Sequence, residues 1–230
     1  MGRLLAIGDI HGHLNALETL VELVSLKEDD TLVTLGDYVD RGPDSAGVIE
    51  WLIKKFDNGQ LIPLLGNHDQ MMLWARHSGS FSWEECGGDA TLASYGVTEP
   101  EEPLKIVPQR HWDFLDNSCR KFYESTTHIF THATPDAGIP ICDQTDGTLL
   151  WQFWNEPLQH ISGRIMVFGH TAQKSGWPLT IGHAVCIDTW VYGPTGWLTC
   201  LDVDSGEVWQ ARENGETRTG WLDEEPTGND

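Results

Sequence analysis

Apolar residues in this chain follow two alternating rhythms. Short unbroken runs, Leu4-Leu5-Ala6-Ile7, Leu32-Val33-Thr34-Leu35 and Leu61-Ile62-Pro63-Leu64-Leu65, have the length and character of buried strands. Between them, Leu14, Leu17, Leu20, Val21 and Val24 recur at helical spacing on one face. Val48, Ile49, Leu52, Ile53 and Phe56 repeat that spacing behind Pro43 and Asp44, which are good helix-start residues. A third helix is expected just after Asn67, running through Met71, Met72 and Trp74. Strand and helix thus alternate three times in the first third of the chain, which predicts a parallel sheet with right-handed crossovers.

The rhythm weakens from Ser78 to Tyr123, where Gly79, Gly87, Gly88, Pro100, Pro103 and Pro108 break it. This stretch reads as helices and loops capping whatever site the strands build. Strand signals return at His128–Thr131, Arg164–Phe168, Ala184–Ile187, Trp197–Leu201 and Glu207–Gln210. The last three are short and close together, which predicts antiparallel pairing among them. Residues 1–212 are expected to form one domain, and the polar, acidic stretch 213–230 a loose tail.

The polar residues that interrupt these rhythms carry the chemistry. Each of the first three strands ends in a cluster: Gly8-Asp9-Ile10-His11-Gly12, Gly36-Asp37-Tyr38-Val39-Asp40-Arg41-Gly42 and Gly66-Asn67-His68-Asp69. Their spacing, about 30 residues, is that of one strand–helix–strand unit, so all three should reach the same sheet edge. Thr131-His132-Ala133 and Gly169-His170-Thr171 place two more histidines at strand ends. Asp9, His11, Asp37, Asn67, His132 and His170 are more ligands than one tetrahedral ion needs, and two ions sharing Asp37 account for the set. Arg41 supplies a bidentate phosphate clamp. His68 is placed to protonate a leaving oxygen, with Asp40 fixing its orientation. His13 reads as a helix-start residue and His183 as a turn histidine.

The ordered series GDIHG, GDYVDRG, GNHD, a strand-end histidine and GHT resembles the calcineurin-like metallophosphoesterase superfamily, and GDYVDRG its phosphoprotein phosphatase branch. The resemblance implies an α/β (α+β) fold: a four-layer αββα sandwich with two central mixed sheets flanked by helices. It implies that Asp9, His11 and Asp37 hold one metal, and Asp37, Asn67, His132 and His170 the other. His68 is then the general acid supported by Asp40, and Arg41 binds phosphate. The implied chemistry is in-line attack on phosphorus by a metal-bound hydroxide. The mixed N/O donor set admits Mn²⁺, the expected ion, as well as Fe, Zn, Co or Ni. The expected activity is a serine/threonine-type protein phosphatase, acting on a phosphorylated protein or a small phosphoester. The alternatives are a bis(5'-nucleosyl)-tetraphosphatase, which typically lacks the aspartate matching Asp40, or a weakened phosphatase that mainly binds phosphorylated partners.

Two positions depart from the family's pattern. Short members often carry an arginine, a second phosphate clamp, where this chain has Phe153 in Trp151-Gln152-Phe153-Trp154-Asn155. Its loss would cost roughly 2–4 kcal/mol of transition-state stabilisation. The family's Ile-Asp-Thr-Gly is Ile187-Asp188-Thr189-Trp190 here, which puts a tryptophan at the pocket mouth.

Composition narrows the partners. Thirty-five acidic residues against fourteen Lys and Arg give a formal charge of −21. Such a surface repels nucleic-acid phosphate and anionic membranes, so neither is an expected partner. The five cysteines are scattered without a CxxC, which supports neither a disulfide framework nor a thiolate zinc site. With Met1-Gly2-Arg3 leading straight into a strand and no long apolar run, the expected location is the cytoplasm. The oligomeric state is left open.

Overall fold

Three strand–helix units open the chain in the computed structural model, which describes residues 2–78, 81–97 and 103–224. They are β1 (Leu4–Ile7) with α1 (Leu14–Val24), β2 (Thr31–Thr34) with α2 (Ser45–Asp57), and β3 (Leu61–Pro63) with α3 (Asn67–Ser78). Helix α2 begins where its sequence directs: the Asp44 side chain accepts the Gly47 N–H at 2.8 Å, satisfying a donor of the first turn. Short helices α4 (Phe81–Trp83), α5 (Asp89–Ser94) and α6 (Gln109–Asp113) follow. Then come β4 (Phe122–Glu124), β5 (His128–Thr131), α7 (Asp146–Trp151), β6 (Ile165–Phe168), β7 (Leu179–Thr180), β8 (Ala184–Cys186), β9 (Leu198–Asp202), β10 (Glu207–Ala211) and β11 (Thr217–Trp221). Of the punctuating residues, Gly79 and Pro100 lie outside the described residues.

The strands form two mixed sheets, ordered β11-β10-β9-β1-β2-β3 and β4-β5-β6-β8-β7. In the first, β1, β2 and β3 are parallel, with Ile7 opposite Thr34 and Thr34 opposite Pro63, so their C-terminal ends are level. Pro63 is tolerated because β3 is the edge strand. In the second, β5, β6 and β8 are parallel.

Alternation along β1 sorts its residues into two cores. Ala6 turns toward the second sheet, joining Val33, Leu35, Phe130, Val167, Val185, Leu201 and Val208 in the layer between the sheets. Leu5 and Ile7 turn the other way, under Leu17, Leu20, Val48, Ile49 and Leu52 of α1 and α2. On the far side, Ile129 meets Leu149 and Leu150 of α7, and Phe168 meets Trp154. The result is the expected four-layer α/β sandwich of two mixed sheets between helical layers. Among the described residues the outer layer on the second sheet is thin, formed by the six-residue α7 and the turn at Ile141–Asp143.

Two expectations are corrected. β8 does not pair with β9 and β10; it lies in the other sheet, parallel to β6, and residues between 188 and 197 carry the chain across the sandwich. The stretch from residue 213 is not a loose tail throughout. β11 pairs antiparallel with β10 along five residues, from Glu207 opposite Trp221 to Ala211 opposite Thr217. Residues 225–230 of that stretch lie outside the described residues. All five cysteines are free, and none of the described helices is long and apolar enough to cross a membrane.

Candidate metal centre

The C-terminal edges of the two sheets meet, and the strand-end clusters converge there. Asp9, His11, Asp37, Asn67, His68 and His132 are all buried. His170, from the loop after β6, is half-buried beside them. Asp37 is the hub. Its Oδ2 lies 3.4 Å from His11 Nε2, its Oδ1 lies 3.4 Å from His132 Nε2, and the His68 N–H donates to Oδ1 at 2.9 Å. Asn67 Oδ1 is 2.9 Å from His132 Nε2 and 3.0 Å from His170 Nδ1. Asp9 accepts the His170 backbone N–H at 3.1 Å.

The backbone is bent to deliver these groups. His11, Asp37, Asp40, Arg41 and His170 all adopt positive φ, between 44° and 75°, a conformation that costs free energy for residues other than glycine. Two glycines make the close approaches possible. A Cβ on Gly66 would collide with Asp37 Oδ1, and one on Gly169 with Asp9 Oδ1.

The protonation pattern shows what the donors fit. His11 Nδ1–H donates to Val39 O at 2.9 Å, His132 Nδ1–H to Leu35 O at 2.8 Å, and His170 Nε2–H to Trp151 O at 3.2 Å. With its one N–H spent on a carbonyl, each neutral ring turns a lone pair inward, as metal-binding histidines do. Burial keeps these rings neutral: it pushes His11 well down and His132 down, and takes His170 to about 4. At Asn67, two imidazole lone pairs face a carbonyl oxygen, an arrangement of acceptors that a cation would bridge. The carboxylates point the same way. Burial, Asp188 and Asp37 push Asp9 well above its ordinary value. Burial opposes charge on Asp37 too, but the neighbouring histidines, the raised His68 among them, and the His68 backbone N–H outweigh burial and bring its carboxyl below the ordinary range. This donor set fits divalent cations held by nitrogen and oxygen.

Two triads have ligand atoms within 4.8 Å of one another: His11, Asp37 and His68, and Asp9, Asp37 and His132. Asp37 belongs to both, as a shared ligand should. Asp9, expected beside His11, clusters here with Asp37 and His132, because the His170 N–H holds its carboxylate on that side.

His68 differs from the other rings. Its Nδ1 meets Asp40 Oδ2 at 2.6 Å rather than a carbonyl. Burial opposes its charge, but Asp37 and the Asp40 hydrogen bond outweigh burial and raise its pKa. Asp40 is held in turn by Trp83 Nε1–H at 3.0 Å and Thr91 Oγ1–H at 2.8 Å. Arg41 donates to His11 Nε2 at 2.5 Å and to His68 Nε2 at 2.8 Å, and its Cζ lies 4.3 Å from the centre of the Tyr192 ring.

The remaining candidates fall elsewhere. His183 Nε2–H donates to Pro157 O at 2.8 Å, and His13 Nδ1–H to His11 O at 2.7 Å ahead of α1, so both are structural. Arg164, at the opposite end of β6, is committed to Glu124 at 2.7 Å and cannot stand in for a clamp at Phe153. Sequence reasoning missed Trp83 and Thr91, which orient Asp40; the Gly87–Thr91 segment was the signal, since Gly87 O accepts the Arg41 N–H at 3.1 Å. It also missed Asp69, a buried carboxylate that accepts the N–H groups of Tyr38 and Gly66, each at 2.9 Å, and so ties the second and third clusters together. Burial, with Asp37 nearby, pushes Asp69 up to about 7.

Comparison with known proteins agrees with this geometry. The family model for calcineurin-like phosphoesterases matches residues 2–174. The chain is 37% identical over 130 residues to serine/threonine-protein phosphatase 1 of Salmonella typhimurium, which covers 55% of this chain and 56% of that protein. It is 36% identical over 108 residues to a symmetrical bis(5'-nucleosyl)-tetraphosphatase of Legionella pneumophila, covering 46% of this chain and 36% of that one. The matches therefore span about half or less of the length of these relatives. Among solved structures, a cold-active protein-tyrosine phosphatase of a psychrophilic Shewanella superposes with a TM-score of 0.65 at 17% identity, over 95% of this chain and 80% of that one. That likeness is one of fold.

Proposed function

The chain belongs to the calcineurin-like phosphoesterase family, and on that premise we propose that it is a phosphomonoesterase of the serine/threonine protein phosphatase type. The observation that carries this reading is the Asp40–His68 pair, 2.6 Å apart, with Arg41 converging on the same imidazole at 2.8 Å. Asp9, His11, Asp37, Asn67, His132 and His170 would together hold two divalent cations, with Asp37 shared between them. When bound, such cations supply an acidified water and neutralise phosphate oxygens.

The chain's own residues do the rest. Asp40, fixed by Trp83 and Thr91, holds the His68 ring by Nδ1–H, so that Nε2 faces the site. In its doubly protonated form His68 delivers the Nε2 proton to the departing alkoxide, a role that Arg41 yields to when a phosphate arrives. Arg41 then turns its paired N–H groups to the phosphate oxygens. The stack on Tyr192 limits the directions the guanidinium can take.

The second reading, a symmetrical dinucleoside tetraphosphatase, draws on the likeness to the Legionella protein. Parallel assays with Mn²⁺ on a phosphoserine peptide and on diadenosine tetraphosphate separate the two. Turnover of the peptide supports the phosphatase; turnover of the dinucleotide alone overturns it. A purely binding role is excluded if p-nitrophenyl phosphate is hydrolysed with Mn²⁺ and the rate vanishes in Asp37→Asn and His68→Ala.

A further inference from the structure

Trp190 stands where the chain crosses from one sheet to the other, and its backbone is strained. Its φ is 62°, a left-handed conformation that costs free energy for a residue with a bulky side chain. The turn nevertheless holds it there. Its N–H donates to Asp188 Oδ1 at 3.0 Å, and its carbonyl accepts the Gly193 N–H at 2.7 Å. The chain also makes room for it: a Cβ on Gly193 would run into the indole, and one on Gly196 into the Trp190 carbonyl. A large ring kept at a strained position, in a cradle of glycines, points to a role for that ring.

Its neighbours indicate the role. Tyr192 lies edge-on to the indole, with centres 6.2 Å apart, and the Arg41 guanidinium lies 4.3 Å from the centre of the Tyr192 ring. The indole also carries Lys174, whose Nζ is 5.6 Å from its centre. Lys174, Trp190, Tyr192 and Arg41 thus form a series, cation, ring, ring, cation, that leads away from the phosphate clamp. The backbone of Lys174 is pinned to the same crossing loop. Its carbonyl accepts the Thr195 Oγ1–H at 3.1 Å, and the adjacent Gln173 N–H donates to Asp188 O at 2.8 Å. The side chain itself is exposed. Lys121, Arg164 and Arg212 each meet a carboxylate; among the described residues Lys174 meets none.

We propose that Lys174, braced on Trp190, binds an acidic side chain a few residues from the phosphorylated one, so that the site selects acidic phosphopeptides. An ammonium over an indole keeps its charge while its freedom is reduced. Two aromatic steps separate Nζ from Tyr192, a span that an extended peptide covers in about three or four residues. The rest of the surface works against such a substrate, because a formal charge of −21 repels acidic peptides. Without a local cation the acidic peptide would be the poorer substrate, so the sign of the preference decides the matter. This inference rests on the protein phosphatase reading and narrows it.

Steady-state kinetics with Mn²⁺ compare wild type with Lys174→Ala, Lys174→Arg and Lys174→Glu. The substrates are phosphoserine peptides with glutamates three and four residues before or after the phosphoserine, each beside a twin carrying glutamines. In wild type the better glutamate peptide should exceed its twin roughly 2- to 5-fold in kcat/KM, mainly through KM. Lys174→Arg should keep the preference, Lys174→Ala should lose it, and Lys174→Glu should reverse it. No preference in wild type overturns the inference, and so does a preference that survives in Lys174→Ala or in Trp190→Gly. A loss that falls equally on both twins, as a merely structural role would give, overturns it as well. Diadenosine tetraphosphate turnover that drops in Lys174→Ala while the peptide ratio holds assigns the lysine to a polyphosphate and overturns it too. If no phosphopeptide is hydrolysed, the functional reading has failed, and fluorescence anisotropy on the same peptides with a phosphonate in place of the phosphate still judges Lys174. A glutamate preference in binding that disappears in Lys174→Ala supports the inference, and its absence in wild type overturns it.

Discussion

Asp40 Oδ2 lies 2.6 Å from His68 Nδ1, and the same carboxylate accepts hydrogen bonds from Trp83 and Thr91. With no exposed surface, Asp40 has no water to share its charge with, so these partners alone keep it aimed. Asp40→Asn should lower kcat about 100-fold, because the amide no longer stabilises charge on the imidazole. Metal content should be unchanged, since Asp40 is not among the donors. Steady-state kinetics with metal analysis on the same sample check both halves.

Asp37 lies in both potential cation triads. Asp37→Asn should abolish tight binding of both ions, and with it the rise in Tm that added Mn²⁺ produces in wild type. That rise is expected because ions that bind only the folded chain stabilise it by mass action. Calorimetric scans with and without Mn²⁺ read this out without any substrate.

Gly169→Ala tests the close approach. The added methyl would collide with Asp9 Oδ1, which must then move off the His170 N–H that aligns it. A loss of 10-fold or more in metal affinity is expected, with an unchanged far-ultraviolet spectrum, in line with losses seen when ligand alignment is disturbed. Unchanged affinity would show that Asp9 is not held where it acts.

Away from the site, Asp30 gives a pH signature. Burial would raise its carboxyl, but the Arg3 guanidinium, 2.6 Å away, and the N–H groups of Lys27 and Arg3 bring it down to about 2. A depressed carboxyl stabilises the fold above its unfolded pKa of 3.8 and loses that contribution as pH falls through about 2. Urea unfolding of wild type and Asp30→Asn should differ by about 1–2 kcal/mol at pH 7, allowing for solvent screening around Arg3. The difference should close between about pH 4 and pH 2.

The first three units and their clusters were legible because each ligand stands at the end of an apolar run, and strand–helix spacing by itself brings such ends together. His132 and His170 followed the same logic in the second sheet. Contacts made by tertiary packing were less legible: Trp83 and Thr91 reach Asp40 from 43 and 51 residues away, and only the Gly87–Thr91 segment points toward them. β11 escaped notice because Thr217–Trp221 alternates only between exposed and half-buried, with no apolar face to read. β8 was given to the wrong sheet because short sequence separation from β9 hides a crossing of the whole sandwich.

His132 belongs to the second sheet, yet its Nδ1–H is bonded to Leu35 O at the end of the first. Ions seated there would therefore act as a rivet through the seam. Chelation should loosen both edges at once, so amide exchange near Leu35 and near Gly169 should accelerate in step. A slip of one layer over the other would dismantle the catalytic apparatus before either layer melts.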